Sequence, residues 1–307
     1  MELKKNINPE SIAIPDVPCV SVLMPAYNVE KYVGAAIESI LNQTFSDFEF
    51  IIINDGSTDD TANIIKKYAD QDKRIRFIDN HENRGFIARL NDCLDLARGK
   101  YVAKMDSDDI SLPERFAKQV DFLNTNPDVG MVGCGLQKFG ASDKIDIRPA
   151  HVGVIDFMYG CATTVFMARR DIIEYHHLRF DSNYFAAEDM EFYSRFARVA
   201  KIVNLQEVLY MYRYHGNNVS VRQSSVQQQT TERIRQDIAH FLTGDEYVWD
   251  RMLNTFHWFR IFGVPIIKIK TYNLHRSKYY LFGFVPLVLI EDGAVYLFGF
   301  MKIGIIK

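Results

Sequence analysis

Among the 307 residues there are only four cysteines (Cys19, Cys93, Cys134 and Cys161), scattered through apolar or small-residue runs with no C-x-x-C among them. That pattern argues against a zinc ribbon or a disulfide framework, and for buried free thiols in a reducing compartment. A long apolar run is also missing. Tyr279 to Ile290 is the longest uncharged apolar stretch, and Gly283 and Pro286 interrupt it. It falls short of the roughly 20 residues that a membrane-spanning helix needs. The opening Met-Glu-Leu-Lys-Lys segment reaches Pro15 without an apolar run of the signal-peptide kind. Together these absences predict a cytoplasmic protein, soluble or peripheral on the inner face of the cell membrane. Charge of one sign is lacking too: the net charge is −3, so nothing global points to nucleic acid as a partner. Finally, Pro25-Ala26-Tyr27-Asn28 contains no glycine. With no G-x-G-x-x-G after the first apolar run, a dinucleotide-dependent dehydrogenase is excluded.

What is present is the pattern of an ordinary globular α/β protein, with 48% apolar and 24% charged residues. Short apolar runs at Val20–Met24, Phe50–Ile53, Ile75–Ile78 and Tyr101–Met105 read as mostly buried strands. Between them Val33/Ile37/Ile40/Leu41, Ile64/Ile65/Tyr68/Ala69 and Leu90/Cys93/Leu94/Ala97 recur at helical spacing. Continuous apolar strands with helical crossovers imply a mostly parallel central sheet flanked by helices. Ser111-Leu112-Pro113-Glu114 reads as a capping box opening a helix through Phe116, Val120 and Leu123, followed by a strand at Val129–Cys134. Beyond it the pattern predicts a helix near 186–200, a short strand near 201–205 and a polar helix over 224–243.

In an open parallel sheet, ligands bind outside the carboxyl ends of the strands. Here those ends are Pro25-Ala26-Tyr27-Asn28, Asn54-Asp55-Gly56-Ser57 and Asp106-Ser107-Asp108-Asp109, all polar or acidic. Asp106 and Asp108, two residues apart after a strand, suit a hard divalent cation such as Mg²⁺ or Mn²⁺; the same residues also suit a solvated turn. Ser57 is placed to cap the helix of Ile64 and Ile65, which leaves Asp55 as an acceptor for a base N–H. Tyr27 either stacks on that base or belongs to the core. In the later helix, Asp189 heads a stripe with Tyr193, Phe196, Ala197 and Ala200 and so faces inward, whereas Glu191 pairs one turn on with Arg195 in a surface arrangement.

Val22-Leu23-Met24-Pro25-Ala26-Tyr27-Asn28, Ile53-Asn54-Asp55-Gly56-Ser57-Thr58-Asp59, Asn83-Arg84-Gly85, Gly99-Lys100-Tyr101 and Asp106-Ser107-Asp108-Asp109 resemble, in order and spacing, the motifs of family 2 glycosyltransferases of GT-A fold. The resemblance implies an inverting transferase that moves a sugar from a nucleoside diphosphate, often UDP-linked, to an acceptor hydroxyl of a growing surface glycan or lipid-linked glycan. It implies Mn²⁺ or Mg²⁺ as cofactor. It places Pro25, Tyr27, Asp55 and Arg84 or Arg89 around the nucleoside, Asp106 with Ser107 on the ribose and metal side, and Asp108 on the metal. Ala187-Glu188-Asp189 resembles the acidic pair whose second member is the general base, which names Asp189. Tyr212-Arg213-Tyr214-His215 resembles an Arg-x-His segment, so Arg213 is expected at the diphosphate and His215 as a further metal ligand. Cys161-Ala162-Thr163-Thr164 is expected near the acceptor on the same analogy.

The chain therefore divides into an extension (1–19), a nucleotide-sugar-binding α/β half (20–134), an acceptor-side half with the base helix (135–222), a helical linker (223–255) and a tail (256–307). The tail holds seven basic and two acidic residues, a net +5 that leaves −8 on the rest. Phe262-Gly263-Val264-Pro265 is echoed by Phe282-Gly283-Phe284-Val285-Pro286 and by Phe298-Gly299-Phe300, which suggests short strands joined by turns. Basic and aromatic residues together suit an anionic membrane surface; a small β-module that packs on the domain or forms an oligomer contact is the alternative. Two other functions stand beside the transferase. One is a catalytically silent nucleotide-sugar-binding module. The other is a sugar-nucleotide nucleotidylyltransferase, which the glycine-free turn after the first strand disfavours.

Overall fold

The computed structural model describes residues 17–163, 165–214 and 223–244 and, from 256 to 305, the backbone of six strands. The chain forms two compact units, Met1–Thr231 and Glu232–Lys307. The first begins with three strand–helix repeats: β1 (Val20–Ala26), α1 (Val33–Leu41), β2 (Phe48–Asp55), α2 (Thr61–Ala69), β3 (Ile75–Asn80), α3 (Phe86–Leu96) and then β4 (Tyr101–Lys104). It continues with β5 (Ile110–Ser111), α4 (Arg115–Thr125), β6 (Val129–Gly140), β7 (Ile145–Asp146), β8 (His151–Val152), β9 (Met167–Arg169), α5 (Arg170–Tyr175), α6 (Glu188–Phe196) and β10 (Lys201–Tyr214). A last helix, α7, spans Ser224–Thr243.

The sheet runs β3-β2-β1-β4-β9-β6-β10-β5, with β7 and β8 at its margins. Its first four strands are parallel, as their apolar runs and helical crossovers predict. β9 then enters antiparallel to both β4 and β6, and β10 pairs parallel with β6. β10 is far longer than the five residues expected, because register shifts near Leu205 and Val208 let it bend and keep pairing to Tyr214. One face buries Val22, Met24, Phe50, Ile52, Tyr101 and Ala103 against Ile37, Ile40, Phe116 and Leu123. Each such side chain contributes about 1.5–3 kcal/mol. The other face carries the buried row Ile51, Leu23 and Lys104, which pair directly across β2, β1 and β4. A lysine in that row is the anomaly from which the site is built.

Two expected caps do not form. Ser111 lies in β5 opposite Tyr210, its hydroxyl accepts from the Gln43 amide, and α4 starts only at Arg115. Strand pairing outcompetes the capping box. Ser57 likewise is no cap: its hydroxyl accepts the Asn28 N–H at 3.0 Å and so ties the β1 end to the β2 end. Among the described residues no helix is long and apolar enough to cross a membrane.

The second unit contains an antiparallel sheet in simple chain order: β11 (Phe256–Ile261), β12 (Val264–Asn273), β13 (Arg276–Leu281), β14 (Val285–Glu291), β15 (Ala294–Leu297) and β16 (Met301–Ile305). Each Phe-Gly echo of the sequence falls between the two strands of one successive pair. The threefold repeat is thus three copies of a two-stranded unit. Register puts Trp258, Lys268, Lys270, Lys278 and Tyr280 on a common face.

Candidate active site

Asp55 ends β2 and is 2% exposed. Its Oδ1 accepts the Arg84 N–H at 2.8 Å and the Arg89 Nε at 2.6 Å, and its Oδ2 accepts the Gly85 N–H at 2.8 Å. Gly85 has φ +89°, a conformation that glycine adopts without strain, and this lets two successive N–H groups point at one carboxylate. The side chain thus shapes the 84–85 turn, with a single bond on Oδ2. Arg89 is buried and bonded also to Asp92 at 3.0 Å and the Glu82 carbonyl at 2.7 Å. Of the two arginines only Arg84 is exposed, held loosely by Asp92 at 3.4 Å. Tyr27 is 47% exposed, which removes the core reading; Pro25 is buried in β1 beside Ile53. Asn28 follows at φ +50°, a conformation that asparagine tolerates, and its Oδ1 accepts the Thr58 N–H at 2.8 Å.

The acidic turn after β4 is braced from below. Arg115 is fully buried, donates to the Lys104 carbonyl at 2.8 Å and stacks on Phe116 and Tyr210. The Tyr210 hydroxyl accepts the Asp106 N–H at 3.2 Å. Asp106, Ser107 and Asp108 are half-buried, and Asp109 is fully buried. Asp109 accepts the Arg213 N–H at 2.7 Å through Oδ1, and Oδ2 has no partner among the described residues. Burial and the charges of Asp106 and Asp108 push its carboxyl well above the usual range. Arg213 donates Nε to the Asp108 carbonyl at 2.7 Å while its guanidinium lies between the rings of Tyr32 and Phe139. It thus locks the end of β10 to the acidic turn. His215 lies outside the described residues, as does Thr164.

Lys104 joins the two halves. Its ammonium, 8% exposed, sits 2.9 Å from Asp106 and 3.2 Å from Asp189, with the Phe86 ring 5.5 Å away. Phe86 follows Gly85 directly, so the Asp55 turn borders the same place. Burial opposes the lysine's charge, yet Asp106 and Asp189 outweigh it and hold the ammonium protonated. Asp189 stands in the first turn of α6, its Oδ2 bound to Lys104 and its buried Oδ1 without a partner among the described residues. Burial raises the Asp189 carboxyl; Lys104 opposes the rise and Asp106 adds to it. Burial, then the charge of Asp189, pushes neighbouring Glu188 to about 7. Just before the helix Ala186 has φ +68°, a strained conformation for alanine, held where α7 bonds the carbonyls of Phe185 (Thr230, 3.1 Å) and Ala186 (Gln227, 3.0 Å). Glu191 pairs with Arg195 as its spacing predicts, but is 7% exposed and so belongs to the interior. Cys161 feels the charges of Asp189 and Lys104, and burial pushes its thiol up to about 12.

Asp106 and Asp189 are thus brought onto one cation, Asp108 shares the turn of Asp106, and Asp55 lies behind the adjoining turn. Among the described residues no three His, Cys, Asp or Glu side chains are grouped as a ready metal cage. Sequence reasoning missed Lys104 and Arg115. The signal for Lys104 was a charge inside the apolar run Tyr101–Met105; Arg115 is hidden at the start of an ordinary amphipathic helix.

The sequence profile of Glycosyl transferase family 2 matches residues 21–197. An uncharacterised glycosyltransferase of Haemophilus influenzae is 35% identical over 241 residues, which is 73% of this chain and 75% of the relative. Chondroitin synthase of Escherichia coli is 26% identical over 257 residues, 80% of this chain but 36% of that longer protein. Among solved structures, S. aureus TarS 1–349 in complex with UDP-GlcNAc superposes with TM-score 0.62 at 20% identity, over 76% of this chain and 69% of that one.

Proposed function

The chain belongs to glycosyl transferase family 2, and from that premise we propose that it transfers a sugar, with inversion, from a UDP-linked donor to a hydroxyl of a glycan acceptor, with Asp189 as general base. The observation that carries this reading is the pair of carboxylates on Lys104: one at the end of β4, where donors bind in such sheets, the other at the start of α6 with one oxygen unpartnered. In the reaction the acceptor oxygen forms a bond to the anomeric carbon as the bond from that carbon to the diphosphate oxygen breaks. The bonding pair leaves with the nucleoside diphosphate, and the hydroxyl proton passes to the carboxylate of Asp189.

Support for UDP comes from the TarS complex, and for a glycan acceptor from the chondroitin synthase relative. Tyr27 offers an exposed ring for the base, and Arg84 an exposed guanidinium. A divalent cation, Mn²⁺ or Mg²⁺, fits the residues present. Asp106 and Asp108 crowd negative charge at one strand end, and with burial, the larger cause, they push Asp109 up. Such ions are commonly held by one or two carboxylates plus substrate phosphates, without a protein cage. When bound there, the ion supplies charge that stabilises the departing diphosphate. Arg213, by bonding to the Asp108 carbonyl, sets that turn's shape. The basic, aromatic face of the tail suits an anionic membrane surface where lipid-linked acceptors reside.

The test is UDP release from a panel of UDP-sugars with Mn²⁺ or Mg²⁺. Asp189→Asn should lower kcat by roughly 10²–10⁴-fold, and Asp108→Ala should abolish the metal requirement together with most of the rate. Turnover with no nucleotide sugar, or unchanged turnover in both variants, overturns the reading; UDP binding without any transfer would support the silent module instead.

A further inference from the structure

Lys104 is buried, and among the described residues its ammonium forms ion pairs only with Asp106 and Asp189. Its backbone is pinned by Arg115 and by the Phe166 carbonyl, and its side chain shares a sheet row with Leu23 and Ile51. The only ion pairs that Asp106 and Asp189 make among the described residues are with this ammonium. Each comes from a different part of the chain: Asp106 from the end of β4, Asp189 from α6, 83 positions later. The buried Asp55, by contrast, takes three donors, two of them on one oxygen. Here Asp189 keeps one oxygen unpartnered.

We propose that Lys104 is a positioning residue that fixes the carboxylate of Asp189 relative to Asp106, and so registers the acceptor side of the site against the donor side. This rests on the transferase reading above. An ammonium on a stem lying along the sheet can bond Oδ2 of one carboxylate and an oxygen of the other, but it does not reach the remaining Oδ1. It therefore selects one rotamer of the Asp189 carboxylate. Without it, two carboxylates in a desolvated space repel one another and Asp189 turns away or takes up a proton. Catalytic groups must be held within a few tenths of an ångström of productive geometry, so the loss falls on the chemical step rather than on binding.

The experiment compares Lys104→Met and Lys104→Arg in the full chain, alone and combined with Asp189→Asn. Four readouts are taken: UDP binding with Mn²⁺ by calorimetry, kcat and KM for the active donor, the pH dependence of kcat, and the crystal structure of Lys104→Met. The expected result is a kcat at least 100-fold lower for Lys104→Met, with UDP affinity within about threefold of the parent. The acid limb of its kcat profile should move upward, since Asp189 then faces burial, Asp106, Glu188, Tyr193 and Cys161 with no cation. Lys104→Arg should recover most of the rate. Adding Lys104→Met to Asp189→Asn should cost less than about threefold further, because the lysine acts through the aspartate. In the crystal, the Asp189 carboxylate of Lys104→Met should be displaced. An unmoved Asp189, additive losses in the double variant, or a parallel fall in UDP affinity overturns the proposal. The crystallographic arm needs no turnover, so it fails or succeeds independently of the donor and base assignments. Should Lys104→Met not fold, Lys104→Gln carries the same comparison.

Discussion

Glu49 and the acids around Lys104 meet burial in opposite ways. At the amino edge of β2, Glu49 is 1% exposed and accepts bonds from the Ser21 hydroxyl, the Arg76 and Arg98 guanidinium groups and the Arg98 N–H. Burial alone would raise its carboxyl, but those donors outweigh it and hold it below the usual carboxylate range. At the carboxyl edge Asp109, Glu188 and Asp189 are all pushed up, and Asp109 and Asp189 each keep an oxygen unpartnered among the described residues. Glu49 is met by donors and stabilises the fold, whereas Asp109 and Asp189 stand beside like charges, as groups at functional sites do.

The largest effects should separate cleanly along this line. Asp189→Asn is expected to lose roughly 10²–10⁴-fold in kcat while unfolding in urea at about the parent's midpoint. Glu49→Ala should do the reverse, because its arginines are half-exposed and can rehydrate: a loss of about 2–3 kcal/mol in stability with kcat within about threefold. Its pH dependence follows from the sign of the shift. A folded carboxyl held low contributes stability that is fully present above the unfolded value, about 4.3, and is lost as pH falls through the folded value. The gap between parent and Glu49→Ala should therefore close on acidification. If Glu49→Ala abolishes turnover in the folded protein, the two groups are coupled and the contrast fails.

A finer version compares two arginines five positions apart. Arg89 is buried on Asp55, so Arg89→Met strands a buried carboxylate and should cost about 2–4 kcal/mol of stability. Arg84 is exposed, and Arg84→Met should leave stability unchanged while weakening UDP binding by about 5–10-fold, the worth of one charge-assisted bond near the surface. Thermal unfolding and calorimetry with UDP measure both.

How far the sequence revealed this arrangement depended on the range of the interactions involved. The parallel repeats were legible because Ile51, Ile52 and Ile53 or Val22, Leu23 and Met24 leave no polar face for a solvated sheet. The acidic strand ends and the helix that carries Asp189 were legible because local order places Asp106 at a strand end and an inward stripe starts at Asp189. Long-range pairings were hidden. β9 inserts three residues antiparallel between two strands, which no local periodicity announces, and Ser111 gave up its capping pattern to a strand partner a hundred positions away. Lys104 was visible as an oddity, but its meaning required α6 to be placed over it.

The smallest expected effect tests which acid of the adjacent pair does the chemistry. Glu188 is pushed to about 7 by burial and by the charge of Asp189, so at neutral pH its ionisation opposes folding. For a carboxyl raised in the folded state the penalty is absent below the unfolded value, grows as pH rises past about 4.3, and is complete above the folded value. Glu188→Gln should thus stabilise the protein at pH 8 by about 1 kcal/mol, discounted for solvent access, and leave it unchanged near pH 4. Its kcat should stay within about tenfold of the parent if Asp189 is the base, since among the described residues Glu188 forms no ion pair with Lys104. A kcat as low as that of Asp189→Asn would transfer the base to Glu188, and would turn Asp189 into the residue that raises its partner's proton affinity. Urea titrations at the two pH values, run beside the UDP-release assay, separate these outcomes.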